Sequence, residues 1–309
     1  MYLKKKIKKI YPVVLFVYNR PIHTKKVILS LKKNYLASNT SLYIFSDGPK
    51  NKDDKRKVNE VRKIINSIDG FKKTKVFQKQ KNIGLKNSIK LGITKIIKKY
   101  GAVIVLEDDI ITSPSFLYFM NYSLNFFKNR SKIWHINGWN LNLKNKKFNK
   151  TFFYRTMHCW GWATWANKWK NFNDNINEIE NKIDKKIIYR LNNNGAENFY
   201  WQFLANKKSL INTWAIFWYL TIFLNKGLCL SPLSSFTKNI GLDGSGEHSV
   251  KDLFSDDHSE LNNSFSYDYP KEEVENRMVF KKIYNYYKIK NSLKNKILNK
   301  IYLNFKVLS

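Results

Sequence analysis

Three consecutive acids give the sequence its most distinctive chemistry. In VIVLEDDIITSP, an apolar run ends in Glu107, Asp108 and Asp109, although the chain as a whole is rich in lysine. Carboxylates held close together repel each other and raise one another's pKa, and a divalent cation relieves that repulsion. Mg²⁺ and Mn²⁺ are commonly held by one or two carboxylates plus substrate phosphates. The acids therefore predict a metal site, with a charge cluster at the start of the following helix as the structural alternative.

Polar residues also end two other short apolar segments. Asn19 and Arg20 follow PVVLFVY, and Asp47 ends SLYIFSD. In a mostly parallel sheet, ligands bind beyond the carboxyl ends of the strands, so we expect these side chains and the three acids to share one cleft. Turn chemistry is the alternative explanation, because Asn-Arg-Pro and Asp-Gly-Pro both favour a change in chain direction.

The elements that must position these side chains alternate along the first 140 residues. Segments of β-branched and aromatic residues predict strands, and the segments between them carry apolar residues at helical spacing. This alternation predicts an α/β fold with a mostly parallel sheet flanked by helices. The predicted strands are 12–18, 41–47, 73–78 and 102–108, and the predicted helices are 25–35, 54–68 and 85–100.

The charge of the chain narrows its possible partners. The formal net charge is +33, from 56 Lys+Arg against 23 Asp+Glu, which is typical of proteins that bind nucleic acid or anionic membranes. The excess is spread along the chain, and neither a zinc-finger spacing nor an aromatic RNA-binding signature accompanies it. A solvated surface is therefore the favoured interpretation, and we expect no nucleic-acid partner.

The cysteines and the longest uncharged stretch bear on the cellular compartment. Cys159 and Cys229 lie far apart without a CxxC motif, which predicts neither a disulfide framework nor a structural zinc site. The stretch 209–225 contains Ser, Asn and Thr residues, so it predicts a buried helix rather than a membrane span. We expect a cytoplasmic protein, with peripheral contact at the inner face of the cell membrane as an open possibility.

Four motifs in order carry a resemblance to a known family. VVLFVYNRP, IFSDGPK, KNIGLKNSIKLGI and VLEDD together resemble the GT-A fold glycosyltransferases that use nucleotide sugars. Among these, the chain is most similar to bacterial family-2-type sugar transferases and to N-acetylglucosaminyltransferase I. The similarity is densest over residues 12–125 and resumes at CWGWATW and NIGLDGSGEH.

This resemblance implies a domain organisation. A GT-A glycosyltransferase domain would span residues 1–262, with a nucleotide-binding half at about 10–125 and an acceptor half at about 126–262. Residues 263–309 would form a basic, helical C-terminal tail.

The resemblance also implies roles for the acids. Asp109 would ligate Mn²⁺ or Mg²⁺, and Asp108 would bind the ribose or the sugar of the donor. Glu107 would support the loop or contact the sugar. Asp47 matches the acid that accepts a hydrogen bond from the uracil ring of the nucleotide.

Four further residues are expected around the nucleotide. Asn19 and Arg20 would line its pocket. Asn82 and Gly84 in KNIGL would let the backbone pass close to the donor, although a simple loop before a helix explains them nearly as well.

Candidate sugar contacts and a candidate closing loop come later in the chain. Trp160 and Trp162 flank a small glycine, and indole rings stack on the apolar faces of sugars, with a buried aromatic core as the alternative. GLDGSGEH predicts a flexible loop that closes over the donor. His248 in this loop is a candidate metal ligand or pyrophosphate contact, although a lone loop histidine is more often solvated.

The catalytic base is the least determined part of the site. An inverting transferase needs a carboxylate that takes the proton from the acceptor hydroxyl. Similar sequences often carry an acid in a TWD-type motif, but NTWAIFW has Ala215 at that position. Asp243, Glu247 and Glu197 are the remaining candidates, in that order.

Together these features predict an enzyme that transfers a sugar from a nucleotide-diphosphate sugar, with UDP as the expected nucleotide. The expected acceptor is a glycan or a lipid-linked precursor of a surface polysaccharide such as lipopolysaccharide or capsule. A nucleotidyltransferase is the main alternative, but YNRPIHTKK lacks the glycines that such enzymes usually carry after the first strand. A basic nucleic-acid-binding protein is the non-enzymatic alternative.

Overall fold

A computed structural model describes residues 7–141, 150–243 and 260–295 of the chain. Within these residues the strands are β1 (Val13–Val17), β2 (Ser41–Ser46), β3 (Lys73–Gln78), β4 (Ala102–Glu107), β5 (Ile110–Thr112), β6 (Ile133–Asn137), β7 (Thr151–Tyr154), β8 (Trp162–Trp165), β9 (Leu228–Pro232) and β10 (Thr237–Asn239). The α-helices are α1 (Pro21–Lys32), α2 (Lys52–Asn66), α3 (Gly84–Tyr100), α4 (Phe116–Phe126), α5 (Ala166–Trp169), α6 (Ile176–Glu180), α7 (Lys185–Leu191), α8 (Phe199–Lys207), α9 (Ala215–Leu224) and α10 (Arg277–Lys290), and Ala37–Asn39 form a 3₁₀ turn.

Eight of these strands form one mixed sheet in the order β3-β2-β1-β4-β8-β6-β9-β7. The first four strands run parallel, and β6 also runs parallel to β9. β8 runs antiparallel to both β4 and β6, and β7 antiparallel to β9. β5 and β10 form a separate antiparallel pair. The predicted GT-A-type architecture, a mostly parallel sheet flanked by helices, is confirmed.

β1 lies in the middle of the parallel half and is buried on both faces. Because successive side chains of a strand point to opposite faces, β1 contributes to two hydrophobic cores. Val13 and Leu15 pack with residues of α1, α2 and α4. Val14 and Phe16 pack with residues of α3, α8 and α9. This double burial explains why β1 is apolar throughout.

The predicted elements of the first half agree closely with the structure, apart from one helix start. α1 begins at Pro21, four residues before the predicted helix. Proline suits the first turn of a helix because its φ is already helical and the missing N–H has no partner there. α3 ends where predicted, at Gly101 with a left-handed φ of 82°.

Residues 260–295 pack onto the hydrophobic core. Tyr267 and Tyr269 lie against the cluster that contains α4, and Ile283 of α10 is buried beside Phe152 and Tyr154 of β7. Of the predicted tail, the structure describes residues 263–295, which include α10. No helix in the part of the chain that the structure describes is both long and apolar enough to cross a membrane.

Candidate functional site

The strand register brings the predicted polar residues to one edge of the sheet. Phe16 near the end of β1 is opposite both Phe45 of β2 and Glu107 of β4. Because β1, β2 and β4 are parallel, the residues that follow each strand emerge at the same edge. This edge therefore carries the β1–α1 loop, Asp47, Glu107 at the end of β4 and the two aspartates that follow it.

Arg20 joins the acids through charged hydrogen bonds. Its Nη2 donates to Asp108 Oδ1 at 2.5 Å and to Asp109 Oδ2 at 2.9 Å. Tyr18 N also donates to Asp108 Oδ2, at 3.2 Å. Burial alone would lower the Arg20 pKa, but Asp108 and Asp109 outweigh burial and raise it above its ordinary value. The guanidinium therefore supplies part of the countercharge that the acidic sequence requires.

The acids are not fully neutralised by this one cation. Burial raises the pKa of Asp108 to about 6, with Asp109 adding to the shift and Arg20 opposing it. Burial also raises the pKa of Glu107, reinforced by Asp109 and Asp108 and opposed by Arg20 and a side-chain hydrogen bond with Trp214. The edge thus retains an excess of acid groups that favours further positive charge.

Asp109 has the chemistry of a metal ligand that acts together with a substrate. Its carboxylate is a hard oxygen donor, its side chain is 15% exposed, and only its Oδ2 is held by Arg20. The described residues contain no cluster of three or more His, Cys, Asp or Glu residues that could hold a metal ion by themselves. This arrangement fits a Mg²⁺ or Mn²⁺ ion held by one carboxylate plus substrate phosphates.

Asp47 fixes the loop that precedes α3. Its Oδ1 accepts hydrogen bonds from the backbone N–H groups of Gly48 at 2.8 Å and Ile83 at 3.0 Å, and its Oδ2 accepts from Gly84 N at 2.9 Å. Asn82 Nδ2 donates to Gly48 O at 2.8 Å. Asp47, the predicted uracil acceptor, therefore joins the end of β2 to the start of α3. The sequence analysis did not predict this structural role.

The backbone of the loops that Asp47 joins requires glycine at positions 84 and 48. Gly84 has a left-handed φ of 78°, which side chains other than glycine rarely adopt. A Cβ on Gly48 would lie 2.4 Å from the carbonyl carbon of Lys81. The two glycines allow the β2–α2 and β3–α3 loops to approach each other at the sheet edge.

Asp54 is a second residue that the sequence analysis missed. Its Oδ1 accepts from Asn19 Nδ2 and its Oδ2 accepts from Tyr18 Oη, both at 2.6 Å. Lys50 N donates to Tyr18 Oη at 3.0 Å. The first turn of α2 therefore orients the loop that carries Asn19 and Arg20. An acid in the first turn of a helix was visible in the sequence, but it has an ordinary explanation there.

The segment after β10 covers the acids. Ile240 N donates to Asp109 O at 2.8 Å, and a Cβ on Gly241 would lie 2.4 Å from Asp109 Oδ2. Asp243 Oδ2 lies 3.0 Å from His23 Nε2 of α1. The predicted candidate Asp243 therefore lies two residues after Gly241, which adjoins Asp109, and beside His23, which was not predicted. Glu247 and His248 lie outside the described residues.

The two predicted sugar-binding tryptophans have different environments. Trp162 is fully buried and stacks on Trp214, with ring centroids 5.3 Å apart, and on His135 at 5.0 Å. The structure therefore places Trp162 in the core, and the alternative core interpretation applies to it. Trp160 is partly exposed, and its ring meets the edge of Trp139 at 4.6 Å. Trp160 remains available for a sugar.

Glu197 lies away from the acids, in the C-terminal half. Burial raises its pKa to about 7, while a hydrogen bond from Asn193 opposes this shift. Its electrostatic neighbours include Tyr154 of β7 and Tyr219 of α9, and β7 is the strand at the far edge of the sheet from β3. The described contacts join Glu197 to Asn193, and none of them joins it to Asp109.

Ala215 stands close to the cleft without an acid. It is the first residue of α9, directly after Trp214, whose side chain hydrogen-bonds Glu107. The TWD-type position of similar sequences is therefore near the acids in this fold, and this chain places a methyl group there.

Comparisons with known proteins identify a sequence family and several distant structural neighbours. A sequence model of the GNT-I family matches residues 4–177. The mannosyltransferase PcManGT from Pyrobaculum calidifontis, solved with GDP-Man and Mn²⁺, is 8% identical, with a TM-score of 0.39 and coverage of 71% of this chain and 70% of that chain.

Two further solved structures are similarly distant. The galactosyltransferase LgtC, solved with donor and acceptor sugar analogues, is 10% identical, with a TM-score of 0.35 and coverage of 68% and 70% of the two chains. The glycosyltransferase GlyE from Streptococcus pneumoniae is 14% identical, with a TM-score of 0.33 and coverage of 72% and 45%. A comparison with curated proteins found no match. These scores are too low to assign a substrate.

Proposed function

The chain belongs to the GNT-I family of glycosyltransferases, and we propose that it transfers a sugar from a UDP-sugar to a glycan or lipid-linked acceptor in surface polysaccharide synthesis. The observation that carries the proposal is the convergence of Arg20, Asp108 and Asp109 at the carboxyl edge of the parallel strands. This acidic edge carries the positive charge of Arg20 and lies beside the loop that Asp47 anchors. Both features suit a nucleotide diphosphate.

The donor would lie along this edge. Asp47 and the β1–α1 loop with Asn19 would contact the nucleotide, and Asp108 would contact its ribose or sugar. Asp109 would hold Mn²⁺ or Mg²⁺, which when bound stabilises the negative charge of the departing diphosphate. The guanidinium of Arg20 matches phosphate oxygens in geometry as well as charge, so it would bind the same diphosphate.

Asp243 is the described carboxylate that best suits the catalytic base. It reaches the cleft in the segment that packs on Asp109, and His23 orients its Oδ2. A base on the acceptor side would take the proton of the acceptor hydroxyl as that oxygen attacks the anomeric carbon, which gives inversion. Ala215 cannot serve in this role, and Glu197 lies elsewhere.

A donor-hydrolysis screen tests this function. The purified chain is incubated with UDP-, GDP- and dTDP-sugars, with Mn²⁺ or Mg²⁺, and free nucleotide is measured. We expect the unmodified protein to release UDP from a UDP-sugar. The rate of release should fall by about a hundredfold or more in Asp243→Asn, because the general base is lost. Condensation of a sugar phosphate with a nucleoside triphosphate, with release of pyrophosphate, would instead establish the nucleotidyltransferase alternative. Inactivity combined with tight, salt-sensitive RNA or DNA binding would establish the non-enzymatic one.

We also propose that α10 contacts an anionic membrane, where lipid-linked acceptors would reside. The helix contains no acidic residue, and its exposed face carries Lys281, Lys282 and Lys288 beside Met278 and Ile289, which are 77% and 64% exposed. Each basic residue near an anionic bilayer contributes roughly 1 kcal/mol to binding. Exposed apolar side chains among lysines are typical of helices that lie in the membrane interface.

Co-sedimentation with vesicles tests this contact. We expect binding to phosphatidylglycerol vesicles that is lost when Lys281, Lys282 and Lys288 are changed to Gln. The matched control changes Lys52, Lys55 and Lys57, which are exposed on α2. Equal loss in both triple variants, or no binding at low salt, would contradict the proposal.

A further inference from the structure

We propose that Arg20 and a divalent metal compete for Asp109, so that the donor diphosphate and the metal bind cooperatively. In the donor-free protein Arg20 occupies Asp109; when a diphosphate arrives, the guanidinium moves to the phosphates and frees the carboxylate for the metal. This inference rests on the proposed function, because it assumes that a nucleotide diphosphate binds at this edge.

The first argument is the geometry of the guanidinium. A single nitrogen, Nη2, contacts both Asp108 at 2.5 Å and Asp109 at 2.9 Å. The side chains of Arg20, Asp108 and Asp109 are 19%, 6% and 15% exposed. These charges therefore meet where water screens them poorly. A metal that ligates Asp109 through Oδ2 must therefore share or displace a strong, charge-assisted partner.

The second argument is crowding around Asp109. A Cβ on Gly241 would lie 2.4 Å from Asp109 Oδ2 and 2.7 Å from Arg20 Nη1. The segment after β10 thus closes this side of the ion pair, and Ile240 N holds the backbone oxygen of Asp109. Little room remains for a metal to approach Oδ2 while Arg20 stays in place.

The third argument is the mobility available to the side chain. The backbone of Arg20 is fixed at the start of α1, where Arg20 O accepts a hydrogen bond from Thr24 N at 2.9 Å. The described side-chain partners of its guanidinium are the two carboxylates. The guanidinium can therefore change partners by rotation of its side chain, without movement of the helix.

Charge balance sets the direction of the coupling. Without a diphosphate, release of Arg20 from Asp109 leaves the guanidinium with Asp108 as its one remaining described carboxylate partner. With a diphosphate, the planar guanidinium gains phosphate oxygens that fit its geometry. The metal therefore binds Asp109 more tightly when the diphosphate is present, and thermodynamic linkage requires the diphosphate to bind more tightly when the metal is present.

The test is Mn²⁺ binding, measured by calorimetry or by the electron paramagnetic resonance signal of free Mn²⁺, without and with UDP. In the unmodified protein we expect weak binding of Mn²⁺ alone and at least about tenfold tighter binding with UDP. In Arg20→Gln, Mn²⁺ alone should bind about tenfold more tightly than in the unmodified protein, UDP should bind more weakly, and the coupling should largely disappear.

Three control variants make this result specific. Arg20→Lys keeps the charge but loses the planar fork, so its affinity for Mn²⁺ alone should lie between those of the unmodified protein and Arg20→Gln. Arg130→Gln removes an arginine paired with Glu273 and should behave like the unmodified protein. Addition of Asp109→Ala to Arg20→Gln should abolish the gain in Mn²⁺ affinity. Thermal unfolding confirms that each variant is folded.

Several outcomes would overturn the inference. Unchanged or weaker binding of Mn²⁺ alone in Arg20→Gln shows that Arg20 does not compete for Asp109. A shift in Arg20→Gln with none in Arg20→Lys shows a general charge effect rather than occupation of the carboxylate. Failure of UDP to bind the unmodified protein refutes the proposed function, whereas the nucleotide-free Mn²⁺ comparison still decides whether Arg20 and the metal compete.

Discussion

The two halves of the sheet use polar residues in opposite ways. In the parallel half, Arg20 and Asp109 meet at the ends of strands beside the buried Asp108, and their side chains are 19% and 15% exposed. In the other half, His135 is enclosed by aromatic side chains and backbone, and Glu197 is partly buried and accepts a hydrogen bond from Asn193. His135 Nδ1 accepts a hydrogen bond from Trp218 Nε1 at 3.2 Å inside the core. A chemically capable residue type therefore indicates function only where the fold leaves it accessible.

Trp162→Ala should give the largest effect on stability. It tests whether this tryptophan has a structural role in the core. Removal of a fully buried tryptophan leaves a cavity between Trp214 and His135, and we expect a loss of about 3–5 kcal/mol in the free energy of unfolding. Chemical denaturation measures this loss, with Trp160→Ala as the milder control. If Trp162→Ala has unchanged stability but does not bind an acceptor sugar, Trp162 has a binding role rather than a structural one.

Glu197→Gln should change how stability depends on pH. The folded-state pKa of Glu197 is raised to about 7 by burial, so the unfolded chain loses this proton first as the pH rises. The group therefore destabilises the fold progressively between about pH 4.5 and pH 7, by as much as about 3 kcal/mol. Urea denaturation measures the free energy of unfolding at pH 5 and at pH 8. The decrease between the two pH values should be smaller for Glu197→Gln than for the unmodified protein. Identical decreases in both proteins would mean that Glu197 is not buried as described.

Asp54→Ala should have a smaller effect, confined to the ligand-binding half. Loss of its hydrogen bonds to Tyr18 and Asn19 frees the loop that carries Arg20, and we expect about tenfold weaker UDP binding, or about 1.4 kcal/mol. Asp53→Ala is the matched control, because Asp53 is an exposed acid in the same helical turn. Equal effects of the two substitutions on UDP affinity would exclude a positioning role for Asp54.

The same comparison explains what the sequence could predict. The first four strands and three helices follow from local periodicity, and the acids after β4 follow from their contrast with an apolar run. The bond between Asp54 and Asn19 joins residues 35 positions apart, and no local pattern specifies it. Trp162 and Trp160 are two residues apart in one motif, but tertiary packing buries one ring and leaves the other partly exposed. Glu197 is a candidate base by residue type, and sequence alone does not show which edge of the sheet it approaches.

Calorimetric titration with UDP, with and without Mn²⁺, tests the central claim most directly. If Asp109 holds a metal together with the donor diphosphate, UDP should bind more tightly with Mn²⁺, and Asp109→Ala should remove that gain while remaining folded. UDP affinity that is unaffected by Mn²⁺, or a metal-dependent gain that persists in Asp109→Ala, would contradict the claim.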